Sequence, residues 1–329
     1  MIKTTEKQST ALENAKFIDL FAGIGAFRLA LESFGAQCVF SSEWDAAAQE
    51  TYKSNYGEKP YGDITKIPED NIPSHDFLCA GFPCQPFSIS GKQRGFNDTR
   101  GTLFFDVARI AKYHQPKILL LENVKNLASH DNGRTLNVIT NTLNDIGYNV
   151  YYDIFNASDY GVPQNRERIF LVCFRKDLQI TNFIIPQKIT LKTHVEDLLL
   201  SEDETSQYVV MRNDVLLKDN TIEHYSNSPI RIGIVNKGGQ GERIYSPKGT
   251  AITLSAYGGG AGAKTGLYLV NGKIRKLAPR ECARLDGFPD SFKIPENKNT
   301  AYKQFGNSIV VDVIQHIVFQ IIDLGVFSE

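Results

Sequence analysis

Between residues 17 and 174 the apolar positions change period repeatedly. Short apolar or alternating runs at 17–21, 38–41, 76–80, 117–121, 150–155 and 168–174 predict strands. Between them, residues 27–34, 103–113 and 135–145 place apolar side chains at helical spacing. The first of these helices stops at Gly35 and the last is closed by Gly147. Strands alternating with helices argue for an α/β domain with a largely parallel sheet, doubly wound and Rossmann-like. The pattern changes after about residue 191. Residues 231–272 hold 11 of the 26 glycines, with short strand-like pieces at 232–235 and 251–254. Residues 310–322 return to apolar helical spacing and are expected to pack back on the first part. The expected division is a larger domain from 1–193 plus 276–329, and a smaller, loop- and strand-rich domain from 194–275.

Composition adds limits. The chain has 329 residues, 42% hydrophobic and 22% charged, ordinary for a soluble globular protein. No apolar run is expected to span a membrane, and the polar start, 1–14, lacks the apolar stretch of an export signal. A cytoplasmic protein is therefore expected. The five cysteines, Cys38, Cys79, Cys84, Cys173 and Cys282, form no C-x-x-C pair, so reduced thiols are expected rather than disulfides or a zinc site. The net charge of −1 hides an asymmetry: Arg231 to Arg284 carries ten Lys/Arg against two Glu and no Asp, a net of +8. A basic segment on an otherwise acidic chain suits either a solvated face or a surface that meets phosphates.

The first predicted strand runs into a glycine turn, a helix and a second strand that ends at Glu43-Trp44. From Gly23 to Glu43 is 20 residues, the spacing at which a carboxylate reaches ribose hydroxyls. After Gly23 and Gly25, the third glycine of a dinucleotide fingerprint is replaced by Arg28. That disfavours NAD or FAD and favours a nucleoside ligand without a pyrophosphate, such as S-adenosylmethionine. Trp44 would offer an aromatic face to adenine or a sulfonium. Asp63, after another short strand-like piece, would hydrogen-bond the adenine.

Cys84 stands in Gly81-Phe82-Pro83-Cys84-Gln85-Pro86, just beyond a predicted strand and bracketed by prolines. Ligands of α/β sheets bind outside the carboxyl ends of strands, so Cys84 falls on the cofactor's side. The other four cysteines lie within apolar patterns and read as small buried hydrophobes. Glu122 follows an apolar strand, where a carboxylate needs a task or a partner. Arg166 and Arg168 precede another apolar strand and could pair with it.

Five pieces, Asp19-Leu20-Phe21-Ala22-Gly23-Ile24-Gly25, Gly81-Phe82-Pro83-Cys84-Gln85, Glu122-Asn123-Val124, Gln164 to Arg168, and Gln304-Phe305-Gly306-Asn307-Ser308, stand in one order along the chain. In them the sequence resembles the C5-cytosine DNA methyltransferases over essentially its whole length. The resemblance implies the S-adenosylmethionine-dependent methyltransferase fold, duplex DNA as substrate, S-adenosylhomocysteine as product and no metal. It implies Cys84, Glu122, Arg166 and Arg168 as catalytic residues. For the cofactor it implies Phe21, Gly23, Ile24, Gly25, Glu43, Trp44, Asp63, Ile64, Pro83, Leu103 and Asn307. Likeness in segments 238–246 and 252–260 implies DNA contacts from Gln240, Arg243, Tyr257, Gly259 and Gly260, with Ser88 and Ser90 on a loop that closes over a flipped base. It also implies the inner cytosine of GCGC as target, a monomer, and a bacterial restriction–modification setting with a separate endonuclease. The sequence departs from the resembled pattern at Ala26, at Pro247-Lys248 and at Ala261-Gly262, which bears on details of DNA contact. An RNA cytosine methyltransferase, a small-molecule enzyme and a catalytically dead DNA-binding module remain as rival readings.

Overall fold

The structure, a computed structural model, describes residues 9–83, 103–218 and 224–327. A six-stranded sheet forms its centre. It contains β1 (Lys16–Leu20), β2 (Gln37–Ser42), β3 (Phe77–Gly81), β4 (Ile118–Val124), β5 (Tyr148–Asn156) and β7 (Glu167–Arg175), in the order β2-β1-β3-β4-β7-β5. Strand β7 runs antiparallel to both β4 and β5, and the other five strands are parallel to one another. The expected largely parallel α/β sheet is therefore present, with one reversed strand fed by the β5 connection.

Period-two alternation builds two cores. Phe17, Cys79, Leu120 and Val172 point to one face, under α1 (Ala26–Glu32) and the C-terminal helix. Ile18, Leu78, Leu119 and Leu171 point to the other, under α3 (Leu103–His114) and α4 (Arg134–Asp145). Helices thus cover both faces, as a buried parallel sheet requires. Each fully buried large apolar side chain contributes roughly 1.5–3 kcal/mol. A helix not anticipated from the pattern, α2 (Ala46–Tyr56), follows β2 and is capped by Asp45, whose carboxylate accepts from the Ala47 and Ala48 amides. Its apolar periodicity is weak, and its buried Tyr52 and half-buried Tyr56 also place their rings beside the Arg28 guanidinium.

Beyond residue 200 a second sheet holds β8 (Val215–Leu217), β9 (Ile230–Val235), β10 (Arg243–Ser246), β12 (Leu267–Val270) and β13 (Lys273–Arg275). Its own core is small: Ile230, Ile232, Val235, Ile244 and Leu267. Tyr245 and Tyr268 instead join the main core. A two-stranded link, β6 (Gln164–Asn165) with β11 (Ala251–Ile252), ties the two regions together.

The chain then returns through α5 (Pro279–Leu285), α6 (Lys298–Asn307) and α7 (Val311–Asp323). The 26 residues Lys298–Asp323 are long and apolar enough for a membrane span by length and composition alone, as a buried core helix also is. They are interrupted between α6 and α7, and 72% of the apolar window is buried inside the fold, which accounts for its hydropathy.

Candidate active site

The carboxyl ends of β1 to β4 form one rim. At the end of β1 the chain enters the glycine turn, with Phe21 at φ 57°, Gly23 at φ 56° and Gly25 at φ 89°. Positive φ is cheap for glycine and strained for Phe21. Two side chains hold the turn. The Glu43 carboxylate, buried at the end of β2, accepts the Gly23 amide (2.8 Å) and the Asp45 amide (2.8 Å). The Tyr56 hydroxyl donates to the Gly25 carbonyl at 2.9 Å, and a Cβ on Gly25 would lie 2.5 Å from its ring. Burial raises the proton affinity of Glu43, while the two amides oppose the rise. Trp44 is 78% exposed beside it. Asp63 sits at the same edge, because Tyr61 pairs with Ser42. Its carboxylate caps the next turn through the Thr65 amide and hydroxyl, which holds its pKa below the usual range. Ile64 is buried behind it, as is Ile24 behind the glycine turn.

Below the turn, Asp19 is fully buried with no hydrogen-bond partner for either oxygen among the described residues. Burial pushes its carboxyl up to about 8, with Arg28 pulling the other way.

Glu122 lies on β4 beside Gly81 of β3 in the strand register. A Cβ on Gly81 would stand 3.5 Å from Glu122 Oε2. Arg168 Nε faces Glu122 Oε1 at 3.1 Å, and Arg168 Nη1 donates to the Glu167 carbonyl at 2.8 Å. Burial raises the pKa of Glu122, and the two arginines, Arg168 first, pull it down. Asn123 Nδ2 donates to the Phe82 carbonyl at 2.7 Å, which fixes the chain at the exit of β3 next to exposed Pro83. Cys84, Ser88 and Ser90 lie outside the described residues. Arg166 behaves differently from Arg168. It is fully buried, and its Nη groups donate to the carbonyls of Leu254, Gly306 and Ser308. Burial, then the neighbouring Arg168, lower its pKa to about 10.

The residues expected to meet DNA gather on the second region. Gln240, Tyr257, Gly259 and Gly260 are exposed, and Arg243 is half-buried with its Nε near the Gly238 carbonyl. The two glycine loops press together: the Gly262 amide donates to the Gly241 carbonyl at 2.7 Å, and a Cβ on Gly241 would lie 2.0 Å from the Gly259 oxygen. Helix α6 joins this surface to the rim at the ends of β1 and β2. Lys303 Nζ donates to Asp45 at 2.6 Å, and the Gln304 amide reaches Ala47 and Thr51. Asn307 is exposed at the end of that helix, and Leu103 begins α3. Sequence reasoning did not find Asn123, Tyr56 or Lys303 as supports. Asn123 stood inside a quoted motif, whereas nothing local marked the other two. Four cysteines are as expected: Cys79, Cys173 and Cys282 are buried and Cys38 nearly so, with no disulfide among the described residues. No group of three His, Cys, Asp or Glu among the described residues is placed to hold a metal.

The glycine turn at the end of β1 and the buried Glu122–Arg168 pair at the end of β4 stand on the same rim of the α/β sheet. The chain belongs to the C-5 cytosine-specific DNA methylase family, which it matches over residues 15–323. It is a C5-cytosine DNA methyltransferase related to the enzymes of type II systems. It is 59% identical to the type II methyltransferase M.HhaI of Haemophilus parahaemolyticus, over 98% of this chain and 97% of that one. With M.HpaII of Haemophilus parainfluenzae it shares 44% identity over 94% and 90% of the two chains. The crystal structure of the S. pombe Dnmt2 methyltransferase has the same fold, with a TM-score of 0.72, 19% identity, and coverage of 94% and 98%. Enzymes of this family depend on S-adenosylmethionine.

Proposed function

We propose that this enzyme methylates carbon 5 of a cytosine flipped out of duplex DNA, the inner cytosine of GCGC, and leaves S-adenosylhomocysteine. The observation that carries the reading is the buried Glu122–Arg168 pair, set beside the strand that leads into Cys84. Residues 1–193 with 276–329 form the catalytic and cofactor part and 194–275 the recognition part. The protein acts as a monomer in the bacterial cytoplasm, with any endonuclease on a separate chain.

The rim fits S-adenosylmethionine. A Cβ on Gly23 would meet nothing within 4 Å, so the turn has open space on that side. Glu43 offers a carboxylate to ribose hydroxyls, Trp44 an exposed ring, and Asp63 an acceptor for the adenine amine. Phe21, Ile24, Gly25, Ile64, Pro83, Leu103 and Asn307 complete the surface. When bound there, the cofactor supplies the sulfonium methyl that carbon 5 takes.

Carbon 5 of cytosine is a poor nucleophile until a group adds at carbon 6. The Cys84 thiolate forms that bond. Glu122 gives its proton to N3, so the electron pair displaced from the C5–C6 double bond makes the ring enamine-like. The Arg168 guanidinium binds O2 and holds the base in place. Arg166 acts through the backbone, fixing Leu254 and the end of α6 around Arg168. A base removes the C5 proton after methylation, the Cys84–C6 bond breaks, and N3 returns its proton to Glu122. Flipping the base costs about a few kcal/mol. Gln240 fills the gap in the stack, Arg243 reads base edges, and Tyr257, Gly259 and Gly260 approach the DNA backbone. Ser88 and Ser90 close over the flipped cytosine.

Methyl incorporation from labelled S-adenosylmethionine into duplexes with and without GCGC tests this. The expected result is label at the inner cytosine only, with Glu122→Gln slower by about 100-fold or more. Equal label in duplexes lacking GCGC would overturn the target, and label in structured RNA but in no DNA would overturn the substrate.

A further inference from the structure

Arg166 is a buried cation with no carboxylate within ion-pair distance among the described residues. Its donors meet neutral carbonyls, and its Nε has no partner. Arg168 lies close enough to disfavour its charge, and Arg168 is itself ion-paired with Glu122. Two guanidinium groups against one carboxylate would leave an uncompensated charge in the interior, which is costly.

Asp286 supplies the missing charge. It follows α5 directly, is fully buried, and accepts from Gln164 Nε2 at 3.0 Å. The same Gln164 amide donates to the Leu285 carbonyl at 2.8 Å, which turns its oxygen toward the Leu254 amide at 3.2 Å. Arg166 holds the Leu254 carbonyl at 2.9 Å. One residue of the recognition segment is thus gripped on its N–H through Gln164 and on its C=O by Arg166, and Asp286 stands behind both. Its second oxygen has no partner among the described residues. Burial pushes the carboxyl up to about 6, while Arg166, then Gln164 and Arg168, favour its charged form and pull it down.

We propose that Asp286 is a positioning residue for methyl transfer: the buried counter-charge of the Arg166–Arg168 pair, which limits how strongly that pair's positive field falls on Glu122. The proposal rests on the reading of Glu122 as the donor of a proton to N3. The charged and titratable groups facing Asp286 are Arg166 and Arg168 from the β6–β7 segment, the buried Cys282 thiol of α5, and Asp312 of α7, which lies against Gly287. Among the described residues, those facing Glu122 are Arg168 and Arg166. The Cys282 thiol stays protonated because burial pushes it well above the ordinary thiol range. Removing the negative charge at Asp286 leaves both arginines unopposed. A stronger positive field favours the carboxylate of Glu122 over its acid, so the proton leaves at lower pH.

The test is the single-turnover methyl-transfer rate on a GCGC duplex, from about pH 5.5 to about pH 9.5, for wild type, Asp286→Asn and Asp286→Glu. Asp286→Asn keeps the size and the acceptor for Gln164 but not the charge. Its alkaline limb is expected about one pH unit lower, with a rate on that limb about tenfold slower. Asp286→Glu, which keeps the charge, should return the limb toward wild type. Should the Asn variant fail to fold, Asp286→Ser is the second charge-free form. A limb that stays in place in the charge-free variant, whatever the overall rate, would reduce Asp286 to packing and overturn the proposal. Glu122→Gln in the same series separates the two claims. The wild-type limb should vanish there. If it persists, it belongs to another group, the reading of Glu122 fails, and the proposal falls with it.

Discussion

Alanine in place of Gly306 should reverse the sign expected of a glycine in a helix. In an ordinary helix interior the change gains about 0.5–1 kcal/mol. Gly306 lies in the last turn of α6, against the backbone of Ser255 and Ala256. An added Cβ would stand 2.1 Å from the Ala256 nitrogen, 2.3 Å from the Ser255 carbonyl carbon and 2.6 Å from the Ala256 Cα. Ordinary separations are about 3.5–4.0 Å, so each overlap exceeds about 1 Å. All three atoms are backbone and cannot rotate away. The segment is also held, by Arg166 on the Leu254 carbonyl and by the Ser255 amide on the Lys264 carbonyl at 2.9 Å. Overpacking of this kind costs about 1–3 kcal/mol, more than the helix gain. The expected net is a loss of about 1–2 kcal/mol. Because the loop bearing Tyr257, Gly259 and Gly260 must move, affinity for a GCGC duplex should also fall, by about tenfold for each 1.4 kcal/mol lost. Urea denaturation and fluorescence anisotropy measure the two effects. Gly62→Ala, where an added Cβ would meet nothing within 4 Å, is the control. Increased stability with unchanged duplex affinity would refute the reasoning.

Three further outcomes are expected. Arg275 and Glu281 form a bidentate pair at 2.8 Å, both almost fully buried, and the Glu281 carboxylate also accepts the Leu200 and Ala278 amides. Glu281→Gln should cost about 3–5 kcal/mol by denaturation, and replacing both residues by Met should cost less than the single change. Asp19 keeps its proton in the fold up to about 8 against an ordinary 3.8, so its stabilising contribution is full below the lower value and is lost as pH rises toward the higher. Asp19→Asn cannot ionise, so its stability relative to wild type should rise by up to about 1.4 kcal/mol per pH unit between about pH 5 and about pH 7; parallel pH profiles would contradict this. Tyr56→Phe removes the hydroxyl that fixes the Gly25 carbonyl, a bond of about 0.5–1.5 kcal/mol, so S-adenosylhomocysteine should bind severalfold more weakly by calorimetry. Unchanged affinity would mean that Glu43 alone holds the turn.

Much of this was legible in the chain because local patterns carried it. The inner strands β1, β3, β4 and β7 are apolar on both faces, and helices cover each face, so period and length sufficed. Glu43 stood out because an acidic residue after a second strand, 20 positions from Gly23, has few other uses. Glu122 stood out because a carboxylate ending so apolar a strand needs a partner, and Arg168 is that partner. What stayed hidden depends on distant pairing. Helix α2 lacks a clear apolar stripe, and its tyrosines also face a guanidinium. Lys303 meets Asp45 across 258 positions, and Gln164 meets Asp286 across 122, which no local pattern encodes. Arg166 and Arg168 looked alike in sequence, yet one faces backbone carbonyls and the other faces Glu122. The segment Lys298–Asp323 misleads in the opposite direction, because burial in a core and burial in a bilayer select the same side chains.

The measurement that tests the central claim most directly is covalent trapping. The protein is mixed with S-adenosylmethionine and a duplex bearing 5-fluorocytosine at the inner position of one GCGC site, then run on a denaturing gel. Fluorine cannot leave as a proton does, so a thiolate joined to carbon 6 stays joined. The account predicts a denaturation-resistant protein–DNA band with the wild-type enzyme and none with Cys84→Ala. A band that survives Cys84→Ala, or no band with any cytosine context, would contradict it.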